Sequence, residues 1–359
     1  MLKENNSRRL YLIRHCHTSG DGRCISATDL PLDDFGEHQA DNLARWVSDK
    51  RLGAVYSSPL CRAVKTAERL GVAPVVIRSG LREVNVGAWE NLTFDEIKNL
   101  YSEDFLARGK NPGTSAPTGG ESIKDAGFRL LDCLRGIVAE TDSDVAVVSH
   151  GGALRGLVCA LLGRDIEEAP ALPLPWGSVS ELEVSPDGCL SVISFGEMPE
   201  RFPDERSAEW LRMRYGMLEH VRAHCNAVAA YAILLASKIT AAVNLPLLKS
   251  AAQLHDISRA KGFSHAVEGA RLLRESGYPD VAEIIKYHHD LPEDAHVEAQ
   301  LLYLADKLVQ ETRAVSLRER FEGSRQKCLT PEALDAWQRR YDAAKNVARA
   351  LGLEALCDG

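Results

Sequence analysis

The period of the hydrophobic pattern changes once along this chain, and that change constrains the fold more than any other feature. Up to about residue 195, short apolar runs at 10–13, 54–57, 75–77 and 145–149 alternate with helical stretches such as 36–50 and 62–70. This alternation predicts a mostly parallel α/β sheet in three layers, with helices on both faces. A last strand is expected over 190–195. The segment from Gly196 to Glu205, rich in proline, glycine and charge, breaks both periods and is the candidate linker. From about residue 207, alanine and leucine recur at helical spacing through 221–239, 247–255, 266–276, 281–289 and 295–309, so this half is expected to be all-α. A chain of 359 residues accommodates two domains. They are set here at 1–196 and 207–359, with the linker at 197–206.

Composition narrows the function. The net charge of -8 argues against a partner that is a nucleic acid polymer or a membrane surface. No run approaches the ~18 apolar residues of a membrane span, and the apolar run before Arg14 is too short for a signal peptide. Nine cysteines, an odd number without C-x-x-C pairs, read as reduced thiols of a cytoplasmic protein.

Three of the expected strands end on residues suited to phosphate chemistry. The first runs into Arg14-His15-Cys16-His17-Thr18, the second into Ser57-Ser58-Pro59-Leu60-Cys61-Arg62, and the third into Ser149-His150-Gly151-Gly152. Ligands of open α/β sheets bind beyond the carboxyl ends of the strands. Any one of these histidines or arginines alone would read as a surface or capping residue; four at strand ends on one side of a sheet make a site.

These segments resemble the R-H-G-x-T, S-S-P-L-x-R-A-x-x-T-A and S-H-G-G motifs of the histidine phosphatase superfamily, the phosphoglycerate mutase-like group. Leu81-Arg82-Glu83 with Gly87-Ala88-Trp89-Glu90-Asn91 resembles its L-x-E-x-x-x-G-x-W-E-G segment. Gly22-Arg23-Cys24 with Thr28-Asp29-Leu30-Pro31-Leu32 resembles, more weakly, the α-ribazole phosphatase branch. The resemblance implies a phosphoglycerate mutase-like fold over about 9–195 and a phosphomonoesterase. His15 would be the nucleophile and become phosphohistidine. Arg14, Arg62 and His150 would bind the phosphoryl oxygens, and Glu83 would act as general acid and then base. Side chains supply the positive charge, so no metal is expected in this half. Thr18, Glu121 and Ser122 are the candidate substrate contacts, the last two within a Gly119-Gly120-Glu121-Ser122 segment. For these side chains a plain helix start serves equally well. Three residues depart from the pattern. Cys16 replaces a glycine, His17 stands where an acidic residue is common, and Asp21 stands where a phosphate-contacting asparagine is frequent.

In the helical half, His255-Asp256 closes an otherwise apolar helix, and Asp306 lies in a second apolar run, Leu301-Leu302-Tyr303-Leu304-Ala305-Asp306-Lys307. Charge in such places is costly unless paired or bound to metal. The order His224, His255-Asp256, His265, His288, Asp306 resembles the HD metal-dependent phosphohydrolase superfamily over about 215–315. His220 stays open as an alternative to His224, and His289 as an alternative to His288. The resemblance implies one or two divalent transition metal ions (Fe, Mn, Co or Zn) with Asp256 bridging. Arg259 and Lys261 would meet a substrate phosphate or lie on the surface. Arg313, Arg318 and Arg320 would reach the pocket or form a solvated helix face.

The expected protein is thus a bifunctional phosphohydrolase acting on a small phosphorylated metabolite or a nucleotide. A phosphoglycerate-type mutase, and a phosphatase carrying a non-catalytic metal- or nucleotide-sensing HD domain, remain as alternatives.

Overall fold

The computed structural model of the protein describes residues 7–20, 22–326 and 328–355. Asp21 lies outside them. The chain divides into two compact units that meet between Glu200 and Arg201.

The first unit runs β1 (Arg8–Arg14), α1 (Asp34–Val47), β2 (Leu52–Ser57), α2 (Cys61–Leu70), β3 (Val75–Ile77), α3 (Phe94–Leu100), α4 (Ser102–Lys110), α5 (Ile123–Glu140), β4 (Asp144–Ser149), α6 (Gly151–Leu162), β5 (Val179–Val184) and β6 (Leu190–Glu197). The strands form one sheet in the order β3-β2-β4-β1-β5-β6. The first four are parallel, and β5 and β6 join antiparallel. The unbroken apolar runs of β1 and β4 suit strands covered on both faces, and these two strands are central. Their side chains alternate between two cores. Leu10 and Leu12 pack with Leu130, Leu134, Leu154 and Leu157 of α5 and α6. Tyr11 and Ile13 pack with Leu43, Val47, Ala63 and Ala67 of α1 and α2. Each such fully buried aliphatic side chain contributes about 1.5–3 kcal/mol.

Strand β5 was not expected. Its sequence, Val179-Ser180-Glu181-Leu182-Glu183-Val184, alternates polar and apolar only from Glu181 onward, where Leu182 and Val184 are buried and the two glutamates are partly exposed. Glu181 and Glu183 reach across to Arg9 of β1, at 3.3 and 3.6 Å.

The second unit is helical: α7 (Glu205–Arg214), α8 (Glu219–Ala236), α9 (Leu245–Leu254), α10 (His265–Glu275), α11 (Pro279–Ile285), α12 (Val297–Lys307), α13 (Leu317–Arg325) and α14 (Pro331–Ala350). Two two-residue strands, β7 (Val309–Gln310) and β8 (Arg313–Ala314), pair antiparallel around Glu311, which has a positive φ of 54°. Among the described residues they are the one departure from an all-α half, too short to leave a period-2 signal. Asp204, Asn244, Ser316 and Thr330 cap α7, α9, α13 and α14 by accepting a first-turn N–H. Helix α8 packs on α9 and α12, with Val228, Ala232, Leu235, Leu248, Leu254, Leu301 and Leu304 buried in this unit. Helix α11 stops at Ile285, earlier than expected, so His288 and His289 lie in the turns beyond it. Among the described residues, no helix is long and apolar enough to cross a membrane.

Candidate active site and metal centre

In the first unit, strand pairing assembles the site. Arg14 of β1 lies opposite Ser149 of β4, and Ser57 of β2 opposite Val148. His15, Ser58 and His150 therefore each follow a neighbouring strand end by one residue. The His15 N–H donates to Ser149 O and the Ser58 N–H to Val148 O, both at 3.0 Å. The His15 and His150 rings lie 5.0 Å apart, centroid to centroid.

His15 Nδ1 is 2.7 Å from Cys16 O. A carbonyl can only accept, so Nδ1 carries the proton and Nε2 keeps its lone pair. Burial holds His15 well below the usual imidazole range, and the Arg14 and Arg62 guanidiniums add to the effect. His150 is shifted the same way, by burial and then by His15 and Arg62. Its Nε2 lies 2.7 Å from Ser58 Oγ, while its buried Nδ1 has no hydrogen-bond partner among the described residues.

Arg62 donates from Nη1 to Thr28 O and from Nη2 to Ser26 O, both at 2.9 Å. Arg14 donates from Nη1 to Leu174 O at 2.5 Å and lies over Trp176, 4.3 Å from the ring centroid. Glu83 is seated on the first turn of α6. Its Oε1 accepts from the N–H groups of Gly152 and Ala153 at 3.0 and 3.1 Å, and from its neighbour Val84 at 2.8 Å. A Cβ on Gly152 would lie 2.9 Å from Glu83 Oε1 and 2.6 Å from Val84 Cγ2, so this close approach requires glycine.

Glu83 and Glu121 both line a cleft of about 910 Å3, together with Ser26, Leu60, Arg82 and Asn85. Glu121 pairs with Arg129 at 2.6 Å. Arg129 also donates to Gly80 O, Arg82 O and Glu83 O, which braces the segment carrying Glu83. Ser122 does not line this cleft. It is 3% exposed and caps α5, accepting from the Asp125 N–H at 3.1 Å and donating to Asp125 Oδ2 at 2.6 Å. Ser122 is thus the N-cap of α5. Thr18 is buried past the end of β1.

The departures at 16 and 17 have structural explanations. Cys16 packs into the core under α1 and α2, and burial pushes its thiol up to about 12. His17 turns to the start of α1, with Nδ1 2.6 Å from Asp33 Oδ2.

Sequence reasoning did not single out Ser58, Arg129 or Glu90. The first and last stood inside quoted motifs, but their roles depend on partners far along the chain.

In the second unit, the ends of α9, α10, α11 and α12 and the flank of α8 bring the candidate ligands together. The ligand atoms of His224, His255 and Asp306 lie within 4.8 Å of one another, and so do those of His265, His288 and His289. Asp256 stands between the two groups. Its Oδ1 is 2.8 Å from His265 Nε2 and 3.5 Å from His288 Nε2, and its Oδ2 is 3.7 Å from His255 Nε2. Asp306 Oδ1 is 3.2 Å from His224 Nε2 and 3.7 Å from His255 Nε2.

Four of these histidines share one arrangement. Nδ1 of His224, His255, His265 and His288 lies 2.9, 2.8, 2.5 and 2.7 Å from the carbonyls of Glu311, Ala252, Gly262 and Ile285. Each Nδ1 therefore carries the proton, and each Nε2 turns its lone pair inward. This is how ligating imidazoles are oriented. His255 is fully buried, and its Nε2 has no hydrogen-bond partner among the described residues. An orphaned inward lone pair among two carboxylates and further imidazoles fits a divalent cation. Both alternatives left open by the sequence are now placed. His289 joins the cluster, with Nε2 2.9 Å from His265 Nε2, whereas His220 lines the adjoining clefts outside the two ligand groups.

Two clefts, of about 650 and 790 Å3, adjoin the cluster and share Asp256 and Arg259. Arg259 Nη1 is 3.5 Å from Asp256 Oδ1. Lys261 lines the first cleft and Arg320 the second. Arg313 and Arg318 instead pair with Glu319 and Glu322 on the surface.

Residues 10–195 match the family model of the histidine phosphatase superfamily (branch 1). The chain belongs to that superfamily. Residues 221–310 match the HD domain model. A glucosyl-3-phosphoglycerate phosphatase of Mycolicibacterium vanbaalenii is 33% identical over 178 residues, 46% of this chain and 79% of the relative. Phosphoserine phosphatase 1 of Hydrogenobacter thermophilus is 31% identical over 166 residues, 45% of this chain and 79% of the relative. Among solved structures, Bacillus stearothermophilus YhfR superposes with a TM-score of 0.51 at 29% identity, covering 54% of this chain and all of that one. The chain is a hydrolase acting on phosphoester bonds.

Proposed function

We infer that the first unit hydrolyses phosphomonoesters through a phosphohistidine on His15. The supporting observation is the pairing of a protonated Nδ1 with a free Nε2 lone pair on a buried imidazole beside two arginines. Nε2 attacks phosphorus as the bond to the leaving oxygen breaks, and the Glu83 carboxyl gives its proton to that oxygen. Water then attacks phosphorus, the P–N bond breaks, and Glu83 takes a proton from the water. Arg14, Arg62 and His150 hold the phosphoryl oxygens throughout. Thr18 and Glu121 belong to the surrounding substrate contacts. The substrate is a small phosphorylated metabolite, the class named for the glucosyl-3-phosphoglycerate and phosphoserine phosphatases it resembles.

The second unit is a separate metal-dependent phosphohydrolase centre. His224, His255, Asp256, His265, His288 and Asp306 would hold one or two divalent transition metal ions, with His289 at hand. Such an ion supplies Lewis acidity and a water of lowered pKa. The backbone carbonyls on Nδ1 fix the ring orientations. The Lys307 ammonium, 2.8 Å from Asp306 Oδ2 and 2.9 Å from His288 O, fixes the carboxylate. Arg259 faces the approaching phosphate. The domains are proposed at 1–196 and 207–359, joined by 197–206, a segment that takes in the last residue of β6 and the first two of α7.

The test crosses the two halves in the full-length protein. His15→Ala should abolish hydrolysis of small phosphomonoesters that survives a chelator, while Asp256→Ala leaves it untouched. Chelator-resistant turnover persisting in the His15 variant would remove the phosphohistidine mechanism.

A further inference from the structure

Arg62 is a cation with 2% exposure, held in one place by very little. Two of its N–H groups meet the carbonyls of Ser26 and Thr28, and these two carbonyls set the plane of the guanidinium. Ser26 to Thr28 form bends with no ladder of their own. The Val86 N–H donates to Ser26 Oγ at 3.3 Å and the Leu30 N–H to Thr28 O at 3.1 Å, but most of their hydrogen bonds go to one carboxylate. Glu90 Oε1 accepts from the Ser26 N–H at 3.0 Å, the Thr28 N–H at 2.9 Å and the Thr28 hydroxyl at 2.7 Å. Oε2 accepts from the Ser26 N–H at 3.2 Å, the Ala27 N–H at 3.1 Å and the Ser26 hydroxyl at 2.5 Å. Five donors from three consecutive residues thus converge on one side chain.

The loop is also tied at its far end. Asp29 Oδ1 accepts the Cys61 N–H at 2.6 Å, which fastens it to the first turn of the helix that carries Arg62. Glu90 is itself anchored. Trp89 before it is buried, and the Asn91 N–H after it donates to Cys24 O at 2.7 Å. Burial pulls the Glu90 carboxyl up, but the Ser26 and Thr28 hydrogen bonds outweigh it and bring it down to about 2. The carboxylate is therefore present at any working pH. Burial also disfavours the charge on Arg62, and Glu83, Asp29 and Glu90 offset this only in part.

We propose that Glu90 is a positioning residue for phosphate binding: it gathers the Ser26–Thr28 loop so that two of its carbonyls aim Arg62 at the phosphoryl group. The proposal rests on Arg62 binding phosphate, as inferred above. Ser26 and Ala27 line the cleft and Glu90 does not, so it would act through the loop. A neutral isostere cannot replace it, because the amide nitrogen of glutamine would face donors with a donor.

The experiment measures kcat and KM for 4-nitrophenyl phosphate, and the inhibition constant of inorganic phosphate, in the full-length protein with chelator present. Glu90→Gln, Arg62→Ala and the double variant are compared, with thermal unfolding as the check on folding. Glu90→Gln should lower kcat/KM by roughly 10–100-fold and weaken phosphate inhibition, against ~100–1,000-fold for Arg62→Ala. Added to Arg62→Ala, it should cost less than about twofold more, because residues acting through one group are not additive. Thr28→Val removes a single donor to Glu90 and should move both constants the same way by roughly 2–10-fold, which keeps the test alive if Glu90→Gln does not fold. An undiminished effect of Glu90→Gln on the Arg62→Ala background, or an unchanged phosphate inhibition constant in both Glu90→Gln and Thr28→Val, overturns the proposal alone. Wild-type phosphate inhibition in Arg62→Ala overturns the reading of Arg62, and the proposal with it.

Discussion

Both units gather histidines at the ends of buried elements, and they surround them with opposite charge. His15 and His150 face Arg14 and Arg62, and burial works in the same direction to keep both rings neutral. His224, His255, His265 and His288 face Asp256 and Asp306. The local device on the ring is shared, since His15 and all four of the others pin Nδ1 on a backbone carbonyl. A neutral ring among fixed cations can lend its lone pair to phosphorus. Lone pairs converging on buried carboxylates call for positive charge among them. On the proposed function, the neighbours rather than the histidine decide between nucleophile and ligand.

This contrast breaks most sharply at Asp256. Asp256→Ala should lower the bound first-row metal to below about a tenth of the wild-type content, since the carboxylate contacts both ligand groups. Elemental analysis of the purified protein reads this directly, and full metal content in the variant would show that Asp256 is no ligand.

The next effect lies in the first unit. Glu83→Gln should slow hydrolysis of alkyl phosphates by ~100–10,000-fold, but that of 4-nitrophenyl phosphate by less than about tenfold, because a good leaving group needs little protonation. Equal losses on the two substrates would make Glu83 structural.

The charge environment of His15 and His150 sharpens the comparison through pH. Their folded pKa values lie below the unfolded value of ~6.5, so kcat/KM for 4-nitrophenyl phosphate should show no acid limb near pH 6.5. Below that pH the unfolded state binds protons that the folded rings refuse. Stability should therefore fall with pH, by at most about 1.4 kcal/mol per unit for each ring. Denaturant unfolding of wild type and His150→Gln between pH 7 and 5 measures that share; an identical pH slope in the variant would contradict it.

The smallest effect concerns Ser122. Ser122→Ala should cost about 1 kcal/mol of stability through the lost cap and leave kcat/KM unchanged. A fall in kcat/KM with stability intact would make Ser122 a substrate contact.

The class of each half was legible because period is a local property. Runs such as Val145-Ala146-Val147-Val148 are apolar without a break and declare themselves, whereas Val179–Val184 was hidden by Ser180, Glu181 and Glu183. Helix ends were less legible. His288 and His289 looked helical, yet α11 closes at Ile285 and the turn beyond it presents both.

By itself, then, the sequence determined the α/β half, the helical half, and which strand and helix ends carry arginine, histidine and aspartate, since apolar period and motif spacing are written within a few residues. Tertiary structure alone decided what those side chains do. Ser122 and Glu121 are neighbours, yet one caps α5 and the other lines a cleft. Glu90 meets Ser26 across 64 residues, and His224 meets Asp306 across 82. A hydrogen bond or an ion pair depends on separation in space, and only the packed fold sets that distance.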